Sequence, residues 1–362
     1  MNRVAAAEPR QPAQMPFPAW LRAELRSGAA IYGMLGLFLA YTVALSIFLD
    51  KPLLPFVGYY LAAALRATIL LGCGALAVTA IRALMQGRDS SPLAYMLHAI
   101  VDPPTRQLAG RFIYGCTVLA VFMGAFLYNK ALIPVLSPFS WDPVFAAWDR
   151  ALFGGVQPWT LLQPLLGRPA ATIVLDYLYA AWVPLVFLFW AGLLALAPQR
   201  QALRRQYWLA TMTSWILIGL IMATLMSSAG PCYVPALFPA LAAEFAGLNA
   251  YLDGLGQGAL LPSALSKAYL WNIYSGTLDA PGGISAMPSM HNAQAALFAA
   301  AAYRIDRRFG HLMSAFALII FVGSIHLAWH YAVDGIVGMA AALVVWWVVG
   351  RILALSRMAR AA

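Results

Sequence analysis

Charge is what this sequence has least of. Of its 362 residues 10% are charged and only 13 are acidic, whereas 62% are hydrophobic and the mean hydropathy is +0.75. About a quarter of the residues in a soluble domain are charged, so this balance excludes one. Cysteine is equally scarce: Cys73, Cys116 and Cys232 show no C-x-x-C spacing, so neither a disulfide framework nor a metal site is indicated. Internal repeats and low-complexity tracts are missing too. The net charge of +10 is scattered through short loops, with no continuous basic patch, which argues against a nucleic-acid partner.

What fills the chain instead is a succession of apolar runs. A bilayer core of about 30 Å takes about 20 residues of helix. On that ruler the sequence predicts an all-α integral membrane protein of eight spans, roughly Ala30 to Leu49, Phe56 to Leu84, Phe112 to Leu132, Ala171 to Ala197, Tyr207 to Met226, Ser289 to Tyr303, Leu312 to Trp329 and Tyr331 to Leu355. The sixth is short. Arginines crowd the N-terminus, residues 82–111, 200–205 and 304–308, and the C-terminal tail. Lys51, Lys130, Arg150, Arg168 and Lys267 face the other way. By the positive-inside rule both termini are cytoplasmic, and the loop economy fits a bacterial inner membrane. Arg3, Arg10, Arg22 and Arg26 in a Pro- and Ala-rich leader predict a retained first span rather than a cleaved signal peptide. His98 and His311 fall on the cytoplasmic side, and Arg66, inside the second span, is read as snorkelling or pairing within the bundle.

Two segments on the opposite, extracytoplasmic side are long enough to hold structure. In Ser137 to Pro169, Trp141, Phe145, Trp148 and Leu152 recur at helical intervals, as in an amphipathic interfacial helix whose tryptophans form an aromatic belt or meet substrate. Asp142, Asp149 and Arg150 there suit an aspartate cap and an adjacent charge pair, or a headgroup contact. Ala229 to Ile284, with Gly230-Pro-Cys-Tyr233 and Asp279-Ala-Pro-Gly-Gly283, reads as a loop over the mouth of a site. Asp176 and Tyr177, near the start of the fourth span, lie within reach of the same side.

The chemistry-bearing residues lie at the ends of apolar runs on that side. Ionisable groups at such positions are expensive and are functional candidates by default. Pro288 and Ser289 open a helix whose free N–H groups suit an anion, although Pro-Ser is also an ordinary N-terminal cap. His330 and Asp334, four residues apart, share one helical face, where the carboxylate orients the imidazole or simply satisfies it. A nucleophile, its orienting acid, a second histidine for proton transfer and a helix N-terminus for oxyanions are the parts that phosphoryl transfer needs.

At Pro288-Ser289-Met290-His291 and His330-Tyr331-Ala332-Val333-Asp334 the chain resembles the type 2 phosphatidic acid phosphatase superfamily, over about residues 112 to 362. The form of these motifs is closer to the inositol phosphorylceramide synthase-like branch. The resemblance implies a six-helix catalytic core at 112–362 behind an N-terminal segment, 1–111, with two spans. It implies His330 attacking phosphorus, Asp334 orienting it and His291 protonating the leaving group, without metal or organic cofactor and with lipid substrates. Ser289, Met290, Lys130 and Tyr331 would then contact phosphate or substrate. The chain departs from the pattern where two arginines are expected: the Arg-Pro of the first motif is Ser137-Pro138, and the third motif's arginine is Ser324. His326, one turn before His330, is a candidate to compensate. Fewer cations suit a phosphodiester, so transfer of a phosphate-linked headgroup between lipids is favoured over hydrolysis of a lipid phosphate. A lipid transporter, lacking its matched broken helices here, ranks below both.

Overall fold

The computed structural model describes residues 17–85, 91, 102–196, 200–258 and 260–361, and among these it is helical with no strand. His98 lies outside the described residues. We label the principal helices α1 (Phe17–Ser27), α2 (Ala29–Phe48), α3 (Leu54–Met85), α4 (Pro103–Ala131), α5 (Asp142–Leu152), α6 (Pro158–Leu166), α7 (Pro169–Ala180), α8 (Trp182–Leu196), α9 (Gln201–Ile216), α10 (Ala242–Gly258), α11 (Pro262–Tyr274), α12 (Met290–Tyr303), α13 (Arg307–His326) and α14 (Ala332–Ala361). Seven stretches are long and apolar enough to cross a membrane: α2, α3, Pro103–Leu136, Pro169–Leu193, Gln201–Leu225, α13 and Ala332–Ser356. Together they make the chain an integral membrane protein.

The expected sixth span, α12, does not reach that length. Its 14 residues rise about 21 Å, short of a 30 Å core. It has no need to meet lipid, because it packs against both α13 and α14 and buries Asn292 and Gln294 as well as its alanines. Alanine lets the neighbouring helices approach closely, as in other membrane bundles. One contact is closer still. A Cβ at Gly338 of α14 would overlap the Ser289 carbonyl, so the start of α12 rests directly on the α14 backbone.

Helix α4 sits at the centre. In its span 72% of the most apolar window is buried, against 11% for α3, which leaves α3 for the lipid. The N-terminal pair nevertheless joins the bundle: α3 packs along α4, and Asn129 Nδ2 donates to Thr42 Oγ1 of α2 at 2.9 Å. Arg66 is exposed on α3. The fourth expected span is two helices, α7 and α8, meeting at Ala181, and α9 continues into a π-helical turn at Leu217–Met222. The loop expected over residues 229–284 is also more ordered than its glycine and proline content suggests. It holds α10 and α11, fixed by Lys267 on Asp253 and Asn249 and by Tyr233 Oη donating to the Lys267 carbonyl.

Far from His330, α1 is tied to α9 by Glu24 and Arg204, 2.7 Å apart and almost fully buried, a close ion contact rather than an aligned hydrogen bond. Tyr32 adds a donor to Glu24. A lone charge left in such a place costs several kcal/mol, whereas removing both charges is close to neutral. Glu24→Ala should therefore lower stability by about 3 kcal/mol, and Glu24→Ala with Arg204→Met should recover most of it, read by thermal unfolding in detergent.

Candidate active site

One cavity of about 360 Å³ opens at the end of the bundle where α4 stops and α12 and α14 start. Lys130, His291 and His330 line it, among rings from Tyr59, Tyr60, Tyr179, Trp182, Tyr269 and Trp329. Among the described residues, Lys130 is the one Lys or Arg in this lining. Asp176 is there as well, with its carboxylate occupied by the backbone N–H and hydroxyl of Ser263 at the start of α11. The two imidazoles face each other with ring centroids 6.0 Å apart. His291 lies between Tyr179, stacked at 4.9 Å, and Trp182 at 4.3 Å, which fixes its ring plane.

The backbone around His330 follows from two helix ends meeting. Helix α13 closes in a Schellman motif: Trp329 N–H donates to the Ser324 carbonyl and Ala328 N–H to the Ile325 carbonyl, with Ala328 at φ +62° where glycine is usual. His330 N–H joins the same Ser324 carbonyl. Helix α14 begins two residues later, and its first amides need acceptors. Tyr331 N–H donates to Asp334 Oδ2, half of a capping box, and Asp334 N–H to the Tyr331 carbonyl. Ala332 N–H and Val333 N–H both end on Asp149 of α5, at 2.7 and 2.9 Å. Every amide from 329 to 334 is thus spent. Asp334 Oδ2 also faces His330 Nδ1 at 3.4 Å, leaving the other ring nitrogen without a carboxylate partner.

At the start of α12, Ser289 is the cap and Pro288 precedes it, so the proline is one position further out than the sequence implied. Ser289 Oγ accepts from Asn292 Nδ2, and Asn292 Nδ2 reaches on to Ser324 Oγ at 3.2 Å. Where the sequence pattern expects an arginine, Ser324 closes a buried, neutral hydrogen-bond network. The Met290 and His291 amides donate to nothing among the described residues and stand beside the cavity.

Of the residues expected at the site, Lys130, Met290, His291 and His330 line the cavity and Asp334 stands behind His330. Ser289, Tyr331 and His326 do not line it. Ser289 is fully buried as a cap, and Tyr331 turns its hydroxyl onto Asp142 at 3.1 Å. His326 is buried against Thr172 Oγ1 at 2.9 Å, with Tyr251 on the same hydroxyl, so it supplies no charge to the cavity. The charge pair expected between Asp149 and Arg150 is absent, because Arg150 turns to Glu244 of α10.

Burial dominates the electrostatics. His330 falls from the ordinary 6.5 to about 3, first because burial disfavours the cation and then because Lys130 repels it, while a hydrogen bond to the Ala286 backbone opposes both. Burial pushes Asp149 up to about 7 against its two amide donors, with the Asp334 charge adding to the rise. Asp142 is raised for the same reason, opposed by the amides of Ala229 and Gly230 and by Tyr331.

An all-helical membrane protein thus brings two histidines together in one ring-lined cavity. The PAP2 superfamily model matches residues 143–348, more than half of the chain, and the protein belongs to that superfamily. The match spans His291, His330 and Asp334 and begins after Lys130. No curated protein and no solved structure matches the chain. Membership supports a lipid phosphatase or phosphotransferase type of function.

Gly230 has φ +94°, and a Cβ there would lie 2.6 Å from the Trp329 carbonyl, next to His330. Gly230→Ala should therefore displace the 329–330 backbone and lower the thermal midpoint in detergent, while an alanine at Gly254, where the space is open, should not.

Proposed function

We propose that the protein transfers a phosphate-linked headgroup from one lipid to the hydroxyl of another through a phosphohistidine on His330. The observation that carries this is the 6.0 Å pairing of the imidazoles in a cavity with one cationic side chain. His330 is neutral at working pH, and Asp334 faces its Nδ1, so the lone pair on the opposite nitrogen attacks phosphorus. The bond from phosphorus to the leaving alcohol breaks, and His291, held by Tyr179 and Trp182 and charged only once the substrate phosphate offsets the burial that keeps its pKa well below 6.5, gives that oxygen its proton. An acceptor hydroxyl then gives its proton to His291, attacks the phosphohistidine and releases His330. Lys130 and the free amides of Met290 and His291 offset the charge on the non-bridging oxygens.

One lysine suits a monoanionic diester, and the two positions where arginines are expected are serines. That favours headgroup transfer, as in the inositol phosphorylceramide synthase-like branch, over hydrolysis of a dianionic lipid phosphate. The distribution of arginines supports cytoplasmic termini and an extracytoplasmic cavity, in keeping with a bacterial inner-membrane enzyme. Residues 112–362 form the catalytic core in this reading, with Tyr59 and Tyr60 of the N-terminal segment completing the cavity wall.

Lipid mass spectrometry of cells with and without the protein should show a new headgroup-exchanged lipid, lost in His330→Ala. Purified protein should release little inorganic phosphate from phosphatidic acid or isoprenyl phosphate; rapid release would favour the phosphatase reading. Headgroup translocation surviving in His330→Ala would favour a transporter. His330→Ala should cost at least about 10⁴-fold in turnover. For pH, the sign follows from the depressed His330 value. The unfolded chain takes up this proton at 6.5 and the folded one only near 3, so stability is lost as pH falls across that window, and kcat/KM should show no acid limb from His330 at 6.5.

A further inference from the structure

The two buried aspartates of α5 touch no cavity surface, yet each holds backbone next to a histidine. Asp142 and Asp149 are seven residues apart, about 20° short of two full turns and about 10.5 Å along the axis, so they share a face. Phe145 and Ala146 lie buried between them. An apolar stripe with a carboxylate at each end is a costly surface to bury unless each carboxylate finds donors.

Both find them. Asp142 accepts the N–H groups of Ala229 and Gly230 at 2.9 and 2.8 Å and the Tyr331 hydroxyl at 3.1 Å. The turn it grips links the two halves of the site. Ser228 binds Ala286 N–H through its carbonyl and Met287 N–H through its hydroxyl, just before the His291 helix. Four residues on, Cys232 N–H donates to the Ala328 carbonyl, just before His330. Asp149 accepts the first two amides of α14, in the turn that presents Asp334.

We propose that Asp142 and Asp149 are positioning residues, which together set the separation of His291 and His330 and the approach of Asp334 to the His330 ring. Asp142 fixes the turn that joins the two histidine segments. Asp149 fixes the start of α14 from a helix 183 residues away in sequence. The inference rests on His330 as the nucleophile. Its own prediction concerns geometry, which a substrate-free measurement also reads.

The test uses the full chain in detergent, with histidine labelled in ¹⁵N and bis(4-nitrophenyl) phosphate as a soluble diester probe. Asp149→Ala is expected to change the His330 tautomer signature and to lower kcat about 100-fold with little change in KM. Asp149→Asn, which keeps one acceptor oxygen, should recover about tenfold of that loss. Tyr331→Phe, which removes only the hydroxyl on Asp142, should shift the His330 signals in a fold that stays intact, so it carries the test if Asp149→Ala fails to fold. Arg150→Ala, which breaks the contact to Glu244, should leave both readouts at wild type. The proposal is overturned if folded Asp149→Ala keeps wild-type kcat and unchanged His330 signals. It is equally overturned if the alanine and asparagine variants and Arg150→Ala lose activity alike, in step with their thermal midpoints. Probe turnover that survives His330→Ala would sink the proposed function instead, and the ¹⁵N signals of the aspartate variants would still decide the positioning.

Discussion

The constraint on which the rest depends is that charge and free amides cannot be left unpaired in an apolar bundle. Where α13 ends and α14 begins, the chain has helix-end groups to satisfy in a turn that the protein buries. It closes the account with carboxylates: Asp334 takes the Tyr331 amide, and Asp149 takes those of Ala332 and Val333. Each carboxylate in turn needs those donors to remain buried. This mutual requirement holds a histidine at an otherwise weak point of the fold, the gap between two membrane helices.

The same economy accounts for the missing cations. A guanidinium at position 324 would need acceptors or phosphate to justify its burial. The serine there costs little, because Asn292 and the Phe321 carbonyl complete its hydrogen bonds, and through Asn292 it is coupled to the cap of the His291 helix. A neutral network thus joins α12 to α13 without a charge. Among the described residues the side-chain cation lining the cavity is Lys130, and the Met290 and His291 amides stand beside it.

Much of this was legible in the sequence, for identifiable reasons. Hydropathy marks membrane helices because the bilayer sets their length, and seven of the eight expected runs are long enough to span; α12 is exempt because protein rather than lipid surrounds it. The nearness of His330 and Asp334 was readable because they are four residues apart, although His330 lies in the turn before α14 and meets Asp334 across the helix start rather than on one helical face. His326 misled for the same reason: its spacing from His330 is helical, but the Schellman turn at Ala328 ends the helix between them and points the two rings to different surroundings. The work of Asp142 and Asp149 stayed hidden because their partners lie 87 to 189 residues away. The one signal for it was the interval itself: two aspartates on one face of a helix otherwise read as an apolar anchor.

In the proposed reaction, transfer and hydrolysis share a phosphohistidine and differ only in which hydroxyl reaches it. The partition is set by access. The walls around His330 and His291 carry nine Tyr, Trp and Phe rings, and α11 contributes to them, held by Ser263 on Asp176, by Tyr269 on the Pro281 carbonyl and by Tyr177 on the Leu260 carbonyl. Five of these rings are tyrosines and three are tryptophans, so the wall offers apolar ring faces with polar atoms at their rims. An alcohol on a lipid arrives with its own apolar body, whose burial against such walls is favourable by about 25 cal/mol per Å². In the proposed reaction the apolar ring faces therefore favour a lipid acceptor, a reason for transfer separate from the one drawn from charge.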